Sequence, residues 1–411
     1  MAKSLKIVLL SYHNQNGGAG IACGRLRDAL EKAGHQVSML VQEKSGYDAS
    51  IPLNTTLWQK ALAWIYFIWE RLTYLPSEKS KAVRFLFNLG IYGRDISRHP
   101  LIQQADIIHL HWVNFGMLSI QNIVQLLATG KPVYWTLHDM WTFTGGCHHS
   151  GNCMNFQHSC GNCLEFMKLP SENDLSHQLW TKKFDAFQAP NLHIITCSDW
   201  LKNRATSSSI LKNHCIESIP NAIDTAQFRP AEKHNAKHKL GLNPDKKYIL
   251  FVAMRVNAPK KGFHYLQEAL KDLDSEQFEL IIAGNAQDIP ELSLKAHKLG
   301  HISSPEKMIQ VYQAADVFVT PSLEENLPNT IMEALACGTP CVGFNIGGIP
   351  EMIEHQVNGY VANYQSVEDL HHGLLWTLEN APEQAARQKA ESAYSESIIA
   401  AKHLKYYEHV G

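Results

Sequence analysis

The stretch that decides the fold is ENLPNTIMEALACGTP, which occupies residues 325–340. An apolar run at 317–320 predicts a strand that leads into a loop, and Pro328 stands beside the start of a helix. Free backbone amides at a helix start, together with the helix dipole, suit a diphosphate. Glu333 on the helix is placed to accept hydrogen bonds from a vicinal diol such as a ribose, and Glu325 on the loop is placed to do the same for a sugar. The alternative is that both carboxylates are solvated or capping residues.

The pattern around this stretch is an alternation of short apolar runs and amphipathic segments. The runs lie at 6–10, 36–41, 107–110, 133–137 and 193–197, and then at 248–253, 278–283, 317–320 and 339–344. Several are almost continuously apolar, as in strands covered on both faces, so the pattern predicts parallel sheets with crossover helices. A polar segment at 219–242 separates two such domains. Doubly wound domains bind ligands at the carboxyl ends of their strands, which predicts a cleft between the two.

The composition agrees with two full-sized globular domains. The chain has 411 residues, 45% of them hydrophobic, and its 37 Lys+Arg against 39 Asp+Glu give a net charge of −2. This excludes a disordered chain and gives no basic character that would indicate a nucleic-acid partner. No signal-peptide pattern and no apolar run of membrane-spanning length is found, so we expect a cytoplasmic protein.

Several motifs, taken in order, resemble those of the retaining GT-B glycosyltransferases of family 4. They are GGAG at 17–20, HLHW at 109–112, TLHD at 136–139, PNAIDTAQFRP at 220–230, VAMRVNAPKKG at 252–262, the stretch at 325–340 and GGIPE at 347–351. The resemblance covers nearly the whole chain. It implies an α/β fold of the GT-B type, with two Rossmann-like doubly wound domains facing each other across a cleft. It also implies a nucleotide-sugar donor held mainly by the C-terminal domain and an acceptor held mainly by the N-terminal one.

The predicted domains follow from these boundaries. They are an N-terminal domain at 1–218 with a helical insertion at 51–100 and a cysteine-rich loop at 145–165, a C-terminal domain at 219–390, and a final helix at 391–411 that packs back on the N-terminal domain.

The predicted donor site combines amides, carboxylates and cations. Gly17 and Gly18 follow the first strand, where glycine lets backbone amides approach an anion, although a tight turn explains them equally well. Arg255 and Lys261 lie beyond a strand, where two cations can neutralise a diphosphate leaving group. In the family four residues separate this pair, and Lys260 would restore that spacing. The donor-binding set is completed by Asn326, Leu327, Pro328, Asn329 and Glu333.

His138 ends the predicted strand at 133–137, at the edge where sites of this fold form. Such a histidine is more often packed or solvated than catalytic. The resemblance implies a place for it beside the donor sugar, where it hydrogen-bonds a hydroxyl or supports the developing oxocarbenium ion. We therefore predict His138, Glu325, Arg255 and Lys261 as the catalytic residues.

Four of the nine cysteines lie close together in a glycine-rich segment. Cys147, Cys153, Cys160 and Cys163 are a candidate structural zinc site, because four thiolates can close a tetrahedron and the final pair has C-x2-C spacing. Free buried thiols are the alternative in the cytosol. The chemistry itself is expected to need no cofactor.

Residues 58–75 are helical in pattern and unusually aromatic, and the wider segment 51–100 holds seven basic and three acidic residues. This fits a helix on the anionic surface of the inner membrane, or one that docks a lipid-linked acceptor. A buried helix in an inserted hairpin is the alternative.

The expected function is a retaining, metal-independent glycosyltransferase that moves a sugar from a nucleoside-diphosphate sugar to a saccharide or lipid-linked acceptor. Exopolysaccharide, capsule or O-antigen biosynthesis is the expected pathway. The alternatives are an epimerase or phosphorylase on the same fold, and a non-catalytic nucleotide-sugar-binding factor.

Overall fold

A computed structural model of the chain describes residues 4–287 and 289–410. The chain divides into two compact units: unit 1 runs to Pro220 and resumes at Ala400, and unit 2 is Asn221–Ile399. These divisions lie at 220/221 and 399/400, whereas the predicted ones were 218/219 and 390/391. The second difference arises because the helix Glu383–Tyr394 belongs to unit 2, where Arg387 donates hydrogen bonds to the carbonyls of Phe228 at 2.6 Å and Ala336 at 2.7 Å.

Unit 1 is built on a seven-stranded parallel sheet with the order β3-β2-β1-β4-β5-β6-β7. Its strands are β1 (Lys6–His13), β2 (Gln36–Glu43), β3 (Ile51–Pro52), β4 (Ile107–Leu110), β5 (Val133–Leu137), β6 (Leu192–Thr196) and β7 (Ile216–Ser218). The strand interiors are buried, as expected for strands covered on both faces.

The helices of unit 1 cross between these strands. They are α1 (Gly17–Lys32), α2 (Leu57–Tyr74), α3 (Pro100–Gln104), α4 (Ile120–Leu127), α5 (Leu175–Ala186) and α6 (Asp199–Ser207). Thr56 caps α2 and Ser119 caps α4, each through a capping box that satisfies otherwise unpaired first-turn amides. The predicted helical insertion at 51–100 contains α2 and one 3-10 turn at Lys81–Val83, so its second half is largely irregular.

Unit 2 is built on a six-stranded parallel sheet with the order β10-β9-β8-β11-β12-β13. Its strands are β8 (Lys247–Arg255), β9 (Phe278–Asn285), β10 (Ala296–Gly300), β11 (Val317–Thr320), β12 (Cys341–Phe344) and β13 (Gly359–Ala362). Its helices are α7 (Lys233–Lys239), α8 (Phe263–Ala269), α9 (Pro305–Ala314), α10 (Asn329–Ala336), α11 (Ile349–Met352), α12 (Val367–Asn380) and α13 (Glu383–Tyr394). A last helix, α14 (Glu396–Val410), begins in unit 2 and ends in unit 1.

The fold prediction is confirmed: both units are α/β with parallel sheets, and all nine predicted strands are present. The end of α14 packs on unit 1, where Tyr407 shares a hydrogen bond of 2.6 Å with the buried Nδ1 of His109. In the part of the chain that the structure describes, no helix is long and apolar enough to span a membrane.

Candidate active site

In unit 2, two carboxylates and two lysines face each other across neighbouring loops. Lys261 closes a 3-10 turn after β8, and Glu325 lies on the loop that follows β11. The two side chains form an ion pair, and Lys260 pairs in the same way with Glu324. The Leu323 amide also donates a 2.8 Å hydrogen bond to the Lys260 carbonyl. The structure thus brings the predicted Lys261 and Glu325 into direct contact.

Burial distinguishes the two ion pairs. The Glu325 side chain is 15% exposed and also accepts a hydrogen bond from the Ser322 hydroxyl at 3.2 Å, whereas the Glu324 side chain is 30% exposed. An ion pair that is shielded from water is screened less by solvent and salt. Glu325 is therefore the better ordered of the two carboxylates.

Two glycines hold the Glu325 loop close to its neighbours. A Cβ on Gly262 would lie 1.8 Å from the Pro321 carbonyl oxygen, and one on Gly347 would lie 1.8 Å from that of Glu325. Both glycines have positive φ, at 65° and 59°. The Gly348 amide next to this contact donates to the Asn326 carbonyl at 2.8 Å. Only residues without a side chain permit this approach, so the loop position depends on both glycines.

The loop continues through Leu327 and Pro328 into α10, and no side chain caps the start of that helix. Asn329 is the first helical residue, and its side-chain carbonyl accepts a hydrogen bond from Asn221 at 3.0 Å. Glu333 lies one turn later and is 9% exposed, and its Oε2 accepts a hydrogen bond from the buried Tyr312 hydroxyl at 2.8 Å. A helix start without a side-chain cap and a fixed carboxylate are thus adjacent on one element, which suits an anion linked to a diol.

Arg255 occupies a different position from the lysines. It ends β8 in register with Asn285, beyond an irregularity in the pairing, and is exposed. Among the described residues, the structure records no contact between its side chain and Glu325 or Glu333.

In unit 1, the predicted glycines begin α1. Gly17 has φ of 71° and Gly18 follows it, both are exposed, and the preceding Asn16 forms no side-chain cap. A Cβ on Gly17 would meet nothing within 4 Å, whereas one on Gly20 would lie 2.8 Å from the His13 carbonyl oxygen. Glycine is thus favoured at position 17 because of the positive φ, and at position 20 because a side chain would collide with the His13 carbonyl.

His138 follows β5 and belongs to a cluster of histidines at the carboxyl edge of the unit 1 sheet. Its Nε2 shares a 2.9 Å hydrogen bond with Nδ1 of His111, which follows β4, and the Cys197 thiol lies 3.4 Å from its Nδ1. Burial lowers the pKa of His138 to about 4, which outweighs the opposite effect of Asp139. Burial also holds the pKa values of His109 and His111 well below the usual range. The imidazoles are therefore neutral near pH 7, and His138 is suited to hydrogen bonding rather than to carrying charge.

Asp139 connects this edge to the cysteine-rich loop. Its carboxylate accepts hydrogen bonds from His148 at 2.7 Å and from the Trp112 indole at 2.9 Å. Burial alone would raise the pKa of Asp139, but the charge and hydrogen bond of His148 and the Trp141 amide lower it to about 2. A charged Asp139 thus fixes His148 of the cysteine-rich loop near the carboxyl end of β5.

The four cysteines of the predicted zinc site lie near one another, since burial together with the charges of the neighbouring cysteines raises the pKa of the Cys147 and Cys160 thiols. Cys147 and Cys163 pack against one apolar cluster, Cys160 packs against another, and Cys153 is exposed. Within residues 4–287 and 289–410, no group of three or more His, Cys, Asp or Glu side chains is arranged to hold a metal ion. Zinc binding stays a prediction, which metal analysis of the purified protein tests.

The sequence patterns did not indicate several residues of these two sites. Tyr312 and Ser322 orient the two glutamates, and His148 and Trp112 orient Asp139. Tyr312 lies on α9, far from the motif in sequence, and nothing local marks it. Gly262 and Gly347 belong to the quoted motifs. Their steric role could have been inferred from the sequence, because a glycine in a motif often indicates that two backbone segments approach closely.

The two parallel-sheet α/β units have the architecture of the GT-B glycosyltransferases. Residues 16–227 match the Glycosyltransferase Family 4 family, and residues 232–394 match Glycosyl transferases group 1. The chain belongs to Glycosyltransferase Family 4.

Individual relatives agree with this assignment. An uncharacterized glycosyltransferase of Methanocaldococcus jannaschii is 26% identical over 368 residues, which cover 84% of this chain and 80% of that protein. The N,N'-diacetylbacillosaminyl-diphospho-undecaprenol alpha-1,3-N-acetylgalactosaminyltransferase of Campylobacter jejuni is 28% identical over 206 residues, which cover 47% of this chain and 53% of that enzyme. The match thus spans only about half the length of the Campylobacter relative.

Among solved structures, HepE of Anabaena in complex with UDP and glucose has a TM-score of 0.61 and 15% identity, and the match covers 98% of this chain and 99% of HepE. At this identity the likeness shows the fold.

Proposed function

We propose that this glycosyltransferase moves a sugar from a nucleoside-diphosphate sugar to a saccharide or lipid-linked acceptor with retention of anomeric configuration and without a metal. Polysaccharide assembly, as of an exopolysaccharide, capsule or O-antigen, is the proposed pathway. The observation that carries the proposal is the ion pair between Lys261 and Glu325, because the loop of Glu325 leads into the start of α10, one turn before Glu333.

Each part of the donor is assigned to the residues whose hydrogen-bonding groups or charge suit it. Glu333 binds the ribose diol, and Glu325 binds hydroxyls of the donor sugar. The amides near Asn326, Leu327 and Asn329, together with Lys261 and Arg255, bind the diphosphate. Before the donor arrives, the Lys261–Glu325 pair keeps both groups ordered, and the incoming phosphate oxygens replace the carboxylate as the partner of Lys261.

The chemical step needs no protein nucleophile. The bond between the anomeric carbon and the diphosphate oxygen breaks while the acceptor oxygen bonds to the same face of the sugar. A diphosphate oxygen takes the acceptor proton, so the products are the new glycoside and the nucleoside diphosphate. Lys261 and Arg255 stabilise the negative charge that develops on the leaving group, and this contribution replaces a metal ion. The resemblance implies that His138 lies beside the donor sugar, where it hydrogen-bonds a hydroxyl or supports the developing oxocarbenium ion, and that Gly17 and Gly18 contact the donor phosphates or sugar.

Two relatives support the substrate class. HepE of Anabaena has been solved with UDP and glucose, which supports a nucleotide-sugar donor. The name of the Campylobacter relative specifies a lipid diphosphate acceptor, which supports a lipid-linked acceptor here.

The test is a thermal-shift panel of UDP, GDP and ADP sugars, followed by turnover with the sugar that stabilises the protein most, because a ligand stabilises the native state according to its affinity. Glu325→Ala and Arg255→Ala are each expected to lower turnover at least tenfold. Near-wild-type turnover in both variants would contradict the roles given above. Donor interconversion without an acceptor would indicate an epimerase, and binding without any turnover would indicate a binding factor.

A further inference from the structure

The cysteine-rich loop of unit 1 directs backbone amides at its sulfur atoms. The Gly145 amide donates a hydrogen bond to the Cys160 sulfur at 3.1 Å. The amides of Glu165 and Phe166 donate to the Cys163 sulfur. A neutral thiol is a weak acceptor, whereas an ionised group accepts such hydrogen bonds strongly. These amides therefore favour the thiolate, which is the form of cysteine that binds metals.

A tight turn joins the last two cysteines of the loop. Gly161 has φ of 143° and Asn162 has φ of 47°, so the backbone between the two cysteines is left-handed. A Cβ on Gly161 would lie 2.7 Å from the Glu172 carbonyl oxygen, and the Cys163 amide donates to the Asp174 carboxylate at 2.8 Å. The turn is thus fixed on both sides. Such C-x2-C segments are a usual way in which two thiolates reach one zinc ion.

A buried lysine lies beside the same loop. The Lys183 side chain is fully buried, and its ammonium donates to the carbonyls of Trp141 and Thr144. Among the described residues, no carboxylate forms an ion pair with it. Burial lowers the pKa of Lys183 to about 7, and negative charge on Cys147 and Cys160 opposes this effect. Because a buried charge is costly without an opposite charge nearby, Lys183 indicates a neighbouring anionic group.

We propose that the four cysteines of this loop bind one zinc ion as thiolates and that Lys183 carries the charge that balances them. A divalent ion neutralises only half of the charge of four thiolates. An ammonium beside Cys147 and Cys160 offsets part of the remainder. The ion is structural, because four sulfur ligands leave no open position for a substrate.

The ion has to draw the sulfur atoms together. Within the described residues, no three of them converge on one point. Cys153 is exposed, whereas Cys147, Cys160 and Cys163 are partly buried. Gly151 has φ of 53° and open space around it, so packing does not oppose movement of the segment that carries Cys153. We therefore expect zinc to order this segment, since metal binding couples to the folding of the residues that supply the ligands.

Bound zinc also fixes the residues that follow β5. Cys147 precedes His148, whose carbonyl accepts a hydrogen bond from the Met140 amide at 2.8 Å and whose ring meets Asp139 at 2.7 Å. Asp139 and Met140 directly follow His138 in the chain. A fixed Cys147 therefore holds the edge of the sheet at which His138 lies. The proposed chemistry uses no metal, whereas the placement of His138 depends on one.

The first test measures the metal content of the full chain, purified without a metal-affinity tag from zinc-supplemented medium. About one zinc per chain is expected in the wild type, because four thiolates close one tetrahedral site. The double variant C160S/C163S should retain at least fivefold less zinc. Cys215→Ser, which changes an exposed cysteine of unit 1 outside the loop, is the matched control and should keep the wild-type content. Cobalt bound to the wild type should show the visible absorption of tetrahedral thiolate coordination, a readout that needs no variant.

The second test measures zinc affinity by competition with a chromogenic chelator. Lys183→Met keeps most of the side-chain volume and removes the charge, so the Kd for zinc should rise at least tenfold. Lys182→Met, which changes the exposed neighbour on α5, should leave the Kd within twofold of the wild type. Without zinc, Lys183→Met should unfold at the same temperature as the wild type or at a higher one, because an apolar side chain replaces a buried charge.

The third test measures hydrogen exchange of the backbone amides by mass spectrometry, with zinc and after its removal. Removal is expected to speed exchange at least fivefold in peptides from 138–165, because the loop then loses the ion that fixes it. Peptides from unit 2 should exchange as before and serve as the internal control.

The inference would be overturned by a wild-type chain without stoichiometric zinc, by unchanged zinc content in C160S/C163S, by equal Kd values in Lys183→Met and Lys182→Met, or by unchanged exchange in 138–165. Bound iron, or a disulfide within the loop, would do the same. None of these measurements uses a nucleotide sugar, so their outcome is separate from that of the proposed function.

Discussion

At the scale of single residues, the two adjacent lysines of unit 2 differ in the carboxylate that each one meets. Lys261 pairs with the more buried Glu325, whereas Lys260 pairs with Glu324, and both members of that second pair are about a third exposed. Exposed ion pairs contribute about 0–1 kcal/mol, so Lys260 has little influence on the site. The spacing left the choice between the lysines open, because which carboxylate each lysine meets depends on the fold of a loop more than 60 residues away.

We therefore predict that Lys261→Ala lowers kcat/KM for the nucleotide sugar at least tenfold, while Lys260→Ala changes it less than threefold. Steady-state kinetics on both variants, with circular dichroism to check folding, make the comparison. A larger loss in Lys260→Ala would assign the diphosphate to that lysine instead.

The histidine cluster of unit 1 predicts a pH dependence of stability. Burial lowers the pKa of His138 to about 4 and also lowers those of His109 and His111, whereas an unfolded chain titrates its histidines near pH 6.5. Between about pH 6.5 and 4, the unfolded chain binds protons that the folded chain does not. The free energy of unfolding should therefore fall as the pH falls through this window.

His138→Asn should reduce the steepness of this decrease by about one proton. Urea unfolding at several pH values, monitored by tryptophan fluorescence, measures this steepness. The signal reports mainly on unit 1, because eight of the nine tryptophans lie there. An unchanged steepness in the variant would show that His138 is not held neutral by the fold.

At the scale of elements, the position of the Glu325 loop depends on close backbone contact at Gly347. Gly347 has φ of 59° and its Cβ would lie 1.8 Å from the Glu325 carbonyl oxygen, whereas Gly241 has φ of 69° and open space around it. A side chain at either position costs about 1 kcal/mol through the left-handed backbone. Only at Gly347 would the added side chain also displace the Glu325 loop.

Gly347→Ala is thus expected to lower donor turnover at least tenfold. Gly241→Ala should lower the free energy of unfolding by about 1 kcal/mol and keep wild-type kinetics. Steady-state kinetics and urea denaturation of both variants distinguish the effect of backbone strain from the effect of loop displacement. Equal activity in the two variants would show that the loop position is not required.

The elements that sequence reasoning found are those with a strong local signal. The central strands carry continuous apolar runs, and the predicted bounds 107–110, 133–137 and 317–320 agree with the structure. The strands that it missed carry weaker local signals: β3 and β7 have only two and three residues, β10 is polar, and the four residues of β13 begin with a glycine. The final helix predicted at 391–411 includes the end of α13 and then α14, which are separated at Ser395, because the composition is helix-forming throughout and carries no signal for the break.

At the scale of the whole molecule, the two-unit division and the family were predictable because the motifs recur in a fixed order along most of the chain. The hydrogen-bond partners of the site residues were harder to predict. Tyr312 meets Glu333 from 21 residues away, and Tyr407 meets His109 from 298 residues away. Such contacts depend on tertiary packing, which no local pattern records.

The central claim is that this chain transfers a sugar from a nucleotide donor with retention. The most direct measurement is NMR of the wild-type protein with its preferred nucleotide sugar and membranes of the source organism. It follows the release of nucleoside diphosphate and the anomeric configuration of the new glycoside. The account predicts one nucleoside diphosphate per glycoside formed and the same anomeric configuration in donor and product. An inverted product, or a bound donor that releases no nucleoside diphosphate, would contradict it.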